Sequence, residues 1–140
     1  MAHPELDQLA DFCLHFAQHS LAKRGGFHPF GASIGSDGKL TADTIQIDVQ
    51  HSLAQSLIDA YMNLYRSKAS AGEIRAAAIC WDSRVTLGDH PKTDAISIGL
   101  EHSNGESVAV YCPYTKNPLR RYDFGDLAAT ARPAQFFPSV

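Results

Sequence analysis

The chain has 140 residues, a formal net charge of −3, and hydrophobic and charged fractions (44% and 19%) that are typical of soluble globular proteins. This length predicts a single domain over residues 1–140 that buries a core without disulfides or metals. The net negative charge and the lack of a basic cluster argue against nucleic acid as a partner. Arg120 and Arg121 are the only adjacent arginines, which is too few for a phosphate-binding surface.

The three cysteines, Cys13, Cys80 and Cys112, lie far apart and form no C-x-x-C motif. Their odd number and wide spacing favour a reducing cytoplasm over a disulfide scaffold. No segment approaches the roughly 20 apolar residues of a membrane span. The first residues, MAHPELDQLADF, carry acids where a secretory signal has a basic start. We therefore expect a cytoplasmic protein that is not attached to a membrane.

The first predicted helix runs from His3 to about Arg24, with Pro4 in its first turn and Gly25-Gly26 at its end. Apolar residues at helical spacing predict its buried face. They are Leu6, Leu9, Cys13, Phe16 and Ala17.

The opposite face of this helix carries Asp11, His15 and His19, each four residues from the next. Paired histidines one turn apart bind metals in other proteins. A solvated polar face accounts for the same pattern, since a surface helix needs one. We predict the polar face and no metal site.

Residues Phe27 to about Val49 are predicted to form a β-hairpin in which Ser36-Asp37-Gly38 is a three-residue turn with glycine last. This turn places Ile34 opposite Leu40. The apolar residues change from even to odd positions after Asp43, which predicts a β-bulge near Asp43-Thr44.

A second predicted helix begins at Ser52-Leu53-Ala54-Gln55, whose serine and glutamine fit a capping box, and runs to about Lys68. Its apolar face is again at helical spacing. This face consists of Leu53, Leu57, Tyr61 and Leu64, widened by Ile58 and Tyr65.

Three strands are then predicted in succession, over residues 75–86, 94–102 and 106–114. Apolar residues occupy alternate positions of the second and third strands, which is the pattern of a strand with one buried face. The first strand is apolar at both even and odd positions as far as Trp81. We therefore predict a central strand that is covered on both faces.

The turn at Ser103-Asn104-Gly105 decides the register of the last two strands. A three-residue turn pairs Ile98 with Val110 and gathers the β-branched residues on one face, whereas a two-residue turn would divide them between both faces. We expect the three-residue turn, in which Gly105 takes the left-handed conformation.

The second face of these strands carries four small residues, Ala95, Ser97, Gly99 and Ala109. Small side chains permit close approach by a helix, by the C-terminal tail or by a second subunit. Of these, we favour cover from within the chain.

The C-terminal tail contains Pro118, Pro133 and Pro138, which make a long helix improbable. We expect one more extended segment somewhere in Tyr122 to Ala131. The Phe136-Phe137 pair is predicted to dock on the body of the protein, because two exposed phenylalanines promote association.

The element order αββαβββ predicts an α+β fold with two helices and a mainly antiparallel sheet of five to six strands. This order resembles that of roadblock, longin and profilin-like domains. The likeness implies a binding or scaffolding module, often dimeric, but it is an analogy of fold alone.

The sequence lacks familiar catalytic signatures, among them G-x-S-x-G, a Gly-rich phosphate loop and the zinc deaminase motifs. It does place polar residues at the predicted strand ends. They are His28, Asp82, Arg84, Asp94, Glu101, His102 and Tyr114. One interpretation is a pocket in which a histidine and a carboxylate act as acid and base. The other is a set of ordinary ion pairs, caps and turn residues. We assign no catalytic residue, no metal and no cofactor.

Several segments resemble a family of small uncharacterised bacterial proteins with the pattern F-x-P-F-G-A, D-x-R-V-T, T-D-A-I, L-E-H-x-x-G and P-Y. They are FHPFGASIGSDGKL, ICWDSRVT, KTDAISIGLEHSNGESVAVYCPY and FGDL, between Phe27 and Leu127. The matching positions include Phe30, Gly31, Asp37, Gly38, Asp82, Arg84, Asp94, Glu101, His102, Pro113 and Tyr114. Because that family has no established activity, the resemblance implies no catalytic role.

The leading functional hypothesis is a non-enzymatic binding or protein-interaction module that associates with itself as a homodimer. It is motivated by the missing catalytic signatures, the small-residue sheet face and the aromatic tail. A narrower version is a protein partner that neutralises a toxin. The competing hypothesis is a small hydrolase or isomerase that uses His28 or His102 with Asp94 or Glu101, which requires these groups to converge on one pocket.

Overall fold

A computed structural model describes residues 3–45, 53–119 and 121–137 of the chain. Helix α1 spans Pro4–Arg24 and helix α2 spans Ala54–Ser70. The strands are β1 Phe30–Gly35, β2 Leu40–Asp43, β3 Ile74–Val85, β4 Thr93–His102, β5 Ser107–Lys116, β6 Tyr122–Phe124 and β7 Ala128–Ala131.

The described strands form one antiparallel sheet in the order β2-β1-β3-β4-β5-β6, and β7 pairs with another stretch of β5. The α+β class with a mainly antiparallel sheet is therefore confirmed. The predicted extended segment after β5 is two short strands, β6 and β7. Both pair with the outer edge of β5, one on either side of Pro113. The Pro113 carbonyl faces this outer edge, where it accepts the Gly125 N–H at 2.8 Å. Proline has no N–H to donate there, so the ladder is interrupted.

Both predicted three-residue turns are confirmed. Ile98 lies opposite Val110, and Ile34 lies opposite Leu40. Gly105 has φ +100°, and its N–H donates to the His102 carbonyl at 3.0 Å. This backbone conformation is open to glycine and strained for residues with a Cβ.

The two helices cover opposite faces of the sheet. Helix α1 packs on the face that carries the even-numbered residues of β4, with Leu9, Cys13 and Ala17 at the centre of the contact. Helix α2 and the tail pack on the other face, where Tyr65 meets Ile79 and Phe136. Strand β3 supplies buried residues to both clusters, as predicted for a central strand.

Two details of the helices differ from the prediction. Phe16 is 48% exposed because the buried stripe of α1 continues through Ala17 and Leu21 and leaves position 16 at its margin. The N-cap of α2 is Leu53, which is 76% exposed and provides no side-chain cap. The predicted capping residue, Ser52, lies outside the described residues.

Strand β2 ends at Asp43, where a bulge was predicted, and the expected continuation through Ile47 and Val49 lies outside the described residues. The docking of the tail is confirmed. Phe136 is 3% exposed, and its ring centroid lies 5.6 Å from that of Tyr65.

The three cysteines are free and buried. Burial raises the pKa of Cys13 to about 12, so this thiol stays protonated and behaves as a small apolar group. Neither described helix is both long and apolar enough to cross a bilayer.

Candidate functional site

Six of the seven predicted polar residues divide between two places, and the seven do not converge on one pocket. Asp94 and His102 lie eight residues apart in β4, which corresponds to about 26 Å at roughly 3.3 Å per residue. We call the region of Asp82, Arg84, Asp94 and Tyr114 the open end of the sheet. The region of Glu101, His102 and their partners is the closed end.

At the open end, register brings together side chains from three neighbouring strands. Asp94 lies opposite Arg84 on β3 and opposite Tyr114 on β5. The Tyr114 hydroxyl donates to Asp82 Oδ1 at 2.7 Å. Burial raises the pKa of Tyr114, and the adjacent Asp82 carboxylate raises it further, so the hydroxyl remains a donor at neutral pH.

Asp82 is exposed as a residue, but its carboxyl group loses part of its hydration. This burial raises the pKa of Asp82 above the ordinary 3.8. The hydrogen bond from Tyr114 lowers this pKa, and the nearby charge of Asp94 raises it. Arg84 and Asp94 approach at 3.6 Å with side chains that are 62% and 46% exposed. Such an exposed pair contributes little to stability.

His28 belongs to neither end. It is exposed in the connection between α1 and β1 and borders a depression of about 560 Å³ that is shared with Phe16, Phe27 and Phe30. Within the described residues its side chain makes no hydrogen bond. No carboxylate of the described residues is therefore a partner of His28.

At the closed end, Glu101 is fully buried and binds the backbone of the tail. Its carboxylate accepts the N–H groups of Gln135, Phe136 and Phe137 at 2.7, 2.8 and 3.3 Å. Arg132 adds a longer contact of 3.5 Å to the same carboxylate. Glu101 is thus a structural anchor for residues more than 30 positions away.

His102 projects from the other face of β4 and pairs with Glu5 at the start of α1. Its Nδ1 accepts the Asn104 N–H at 3.0 Å, which leaves the ring proton on Nε2. Nε2 then donates to Glu5 Oε1 at 2.9 Å. The His3 ring stacks on His102, with centroids 4.0 Å apart. A histidine–carboxylate pair therefore exists, but its carboxylate is Glu5, which sequence reasoning did not select.

Among the described residues, one group of three metal-type ligands comes together: His3, Glu5 and His102. The hydrogen bonds of the two rings do not suit a metal. His3 Nδ1 accepts the Glu5 N–H at 3.0 Å and caps α1. A metal on His102 Nε2 would move the ring proton to Nδ1, where it would meet the Asn104 N–H. This group therefore ties α1 to the end of β4.

A further polar centre, at Asp43, was missed by the sequence analysis. Its side chain is 9% exposed, and its Oδ2 accepts the hydroxyls of Ser33 and Tyr65 at 2.7 and 2.8 Å. The Tyr61 hydroxyl donates to the Asp43 carbonyl at 3.1 Å. Burial and the neighbouring carboxylate raise the pKa of Tyr65, which is 0% exposed. This centre fastens α2 to the hairpin.

Gly31 is the sequence signal that points to this centre. A Cβ at position 31 would collide with the Tyr65 hydroxyl and would lie 2.8 Å from the Tyr61 ring. A glycine inside a predicted strand indicates close approach by another group. The sequence does not say which group approaches.

A groove lies on the α2 face at the open end of the sheet. Its volume is about 660 Å³, and we call it the Leu127 groove. One wall is the β3–β4 connection and the other is the β6–β7 connection. Its apolar lining includes Leu87, Pro91, Pro113, Leu127 and Ala128, while Lys92 and Asp126 are the charges on its two walls.

No family model, no curated protein and no solved structure matches the chain. The resemblance to a family of small bacterial proteins therefore stays a prediction, as does the likeness of element order to roadblock and profilin-like domains.

Proposed function

We propose that this chain is a non-enzymatic interaction module that forms a homodimer in the cytoplasm and uses the Leu127 groove as its interface. The observation that carries the proposal is a groove of about 660 Å³ with a mainly apolar lining beside a 56% exposed leucine. Exposed apolar patches rimmed by polar residues mark interaction surfaces in soluble proteins.

The groove supplies both halves of a self-complementary contact. A twofold interface needs each surface feature to meet its counterpart on an identical patch. Leu127 lies on one wall and is 56% exposed, so it can enter the cavity of a second copy. An exposed apolar side chain and a cavity of apolar lining therefore occur on the same patch.

The charges of the two walls support a second copy as the occupant. Lys92 lies on the β3–β4 wall and Asp126 on the β6–β7 wall. Across a twofold axis, Lys92 of each copy would face Asp126 of the other. Complementary charges of this kind fix register and disfavour other partners.

The pairings required by an enzymatic mechanism receive less support. His102 engages Glu5 instead of Asp94 or Glu101, and both of its ring nitrogens are occupied. The carboxylate of Glu101 is occupied by backbone N–H groups of the tail. The cytoplasmic location is supported by three buried cysteines that are not disulfide-bonded.

Sedimentation tests the dimer and its interface. The wild type should sediment as a dimer at ~0.5 mM, a concentration that detects dissociation constants up to about 1 mM. Lys92→Glu and Asp126→Lys should each be monomeric, because each places like charges across the axis. An equimolar mixture of the two variants should recover the dimer.

Leu127→Ser should weaken association, while Leu53→Ser, which alters another exposed leucine (76%) outside the groove, should not. A wild type that stays monomeric at this concentration contradicts the proposal. So does a dimer that neither charge reversal weakens.

A further inference from the structure

Arg132 has more hydrogen-bond donors than its partners use. A guanidinium carries five N–H donors, and this side chain is 15% exposed. Its one hydrogen bond among the described residues runs from Nη2 to Glu101 Oε2 at 3.5 Å. Nε is buried and has no partner. A buried unsatisfied donor is uncommon in folded proteins and calls for an explanation, such as an unseen partner.

Pairing with Glu101 does not account for the position of Arg132. A structural arginine–carboxylate pair is often bidentate, with distances of about 2.7–2.9 Å. Here the carboxylate receives its two shortest bonds from the N–H groups of Gln135 and Phe136, at 2.7 and 2.8 Å. The Nη groups of Arg132 therefore have N–H donors left for another acceptor.

Gly99 makes room for this arrangement. A Cβ at position 99 would collide with Nη1 of Arg132, so the guanidinium rests directly on the backbone of β4. The Phe136 ring lies beside it, with the guanidinium carbon 5.7 Å from the ring centroid. The charge is thus held in place on the sheet by its neighbours.

A cavity of about 250 Å³ adjoins Arg132 between α2, β3 and the tail. It combines one cation, two amides, one aromatic ring and an aliphatic wall. Its lining includes Arg132, Gln55, Gln135, Trp81, Ile58 and Met62. It shares none of its lining residues with the Leu127 groove.

We propose that this cavity binds a small organic carboxylate. The anionic end pairs with the free donors of Arg132, and a planar apolar part lies against Trp81 and the aliphatic wall. Small-molecule sites commonly combine an apolar lining with a few placed polar groups. The nearby negative charge of Glu101 disfavours a dianion, and the aliphatic wall disfavours a bare inorganic anion.

The site is distinct from the proposed dimer interface and extends the function to small-molecule binding. Arg132 and Gln135 belong to the tail, whereas Gln55, Ile58 and Met62 belong to α2. A carboxylate held between them would join the tail to the helix. Ligand binding should therefore raise the melting temperature of the protein.

Benzoate is a suitable probe, and benzamide is its uncharged counterpart of the same shape. Trp81 is the one tryptophan in the chain, so its fluorescence reports on this cavity. Benzoate should change Trp81 emission saturably and raise the melting temperature, and benzamide should bind at least about tenfold more weakly. The absence of a saturable response up to ~10 mM benzoate, or equal binding of benzamide, overturns the proposal.

Two variants locate the binding. Arg132→Gln should abolish the benzoate response, while Arg84→Gln, the same charge change at a 62% exposed position, should retain it. Ile58→Phe keeps the arginine but fills the cavity, so it should weaken benzoate binding at least about tenfold. If Arg132→Gln does not fold, the Ile58→Phe result decides, and unchanged affinity in that variant rules out this cavity.

Discussion

The two ends of β4 use carboxylates in opposite ways. Glu101 at the closed end is 0% exposed and receives three backbone N–H groups. At the open end the Asp94 side chain is 46% exposed and has one ion pair at 3.6 Å. Both residues are acids in the same strand. Their surroundings differ because the backbone of the tail packs on Glu101 and donates hydrogen bonds to it.

This contrast shows that residue type and strand position do not separate a functional carboxylate from a structural one. Before the fold is known, Glu101 and Asp94 are equivalent candidates at strand ends. In the structure, Glu101 has no capacity left for a substrate, while the open end keeps exposed charge. We therefore expect substitutions at the closed end to lower the free energy of unfolding more than substitutions at the open end.

The largest effect is expected at Glu101. Glu101→Leu leaves the buried N–H of Phe136 and the part-buried N–H of Gln135 without an acceptor and leaves Arg132 without a counter-charge. Removal of one partner of a buried charged pair costs about 3–5 kcal/mol. Denaturant unfolding measures this loss, and faster hydrogen exchange of the two amides would show that the tail is released.

The matched control is Asp94→Leu in the same strand. It removes an exposed ion pair and should change stability by less than about 0.5 kcal/mol. Equal losses in Glu101→Leu and Asp94→Leu would contradict the distinction between the closed and the open end.

Local sequence patterns predicted the helices, the strands and both turn registers, because these depend on periodicity and on turn residues. The pairing of Ile98 with Val110 follows from the one register that places both on the same face. The partners of Glu101 were not predictable, because they lie 34 to 36 residues away in an irregular tail. The same holds for His102, whose partner Glu5 is 97 residues distant.

The Asp43 centre illustrates a partial signal. Gly31 inside a strand and an acid at a strand end were both visible in the sequence, but they joined into one site only when α2 brought Tyr65 over the sheet. Long-range packing of this kind is set by the whole fold. Local propensity therefore indicates that a contact exists without identifying its partner.

A moderate loss is expected for Gly99→Ala. The added methyl collides with the Arg132 guanidinium, which packs against the Phe136 ring and cannot withdraw freely. Overpacking of this kind costs about 1–3 kcal/mol. Gly26→Ala is the control, since a Cβ there meets nothing within 4 Å. Urea unfolding that shows no difference between the two variants would mean that the guanidinium has room to move.

A smaller loss is expected for Tyr114→Phe at the open end. It removes the 2.7 Å hydrogen bond to Asp82, worth about 0.5–1.5 kcal/mol. Because that bond lowers the pKa of Asp82, the variant should also show a higher Asp82 pKa in an NMR titration. Tyr122→Phe, another tyrosine packed in the same aromatic group, should leave that titration unchanged.

The smallest effect concerns the pH dependence contributed by Asp82. Its folded pKa lies above the ordinary 3.8, so the folded chain binds this proton more tightly than the unfolded chain does. The stabilisation is complete below about pH 3.8 and is lost as the pH rises through the raised value. Asp82→Asn cannot lose a proton and still accepts from Tyr114. Its stability relative to wild type should therefore increase between pH 3 and pH 7, by less than about 0.5 kcal/mol. Urea unfolding at both pH values measures this, and a relative stability that falls over the interval would show that ionised Asp82 is favoured by the fold.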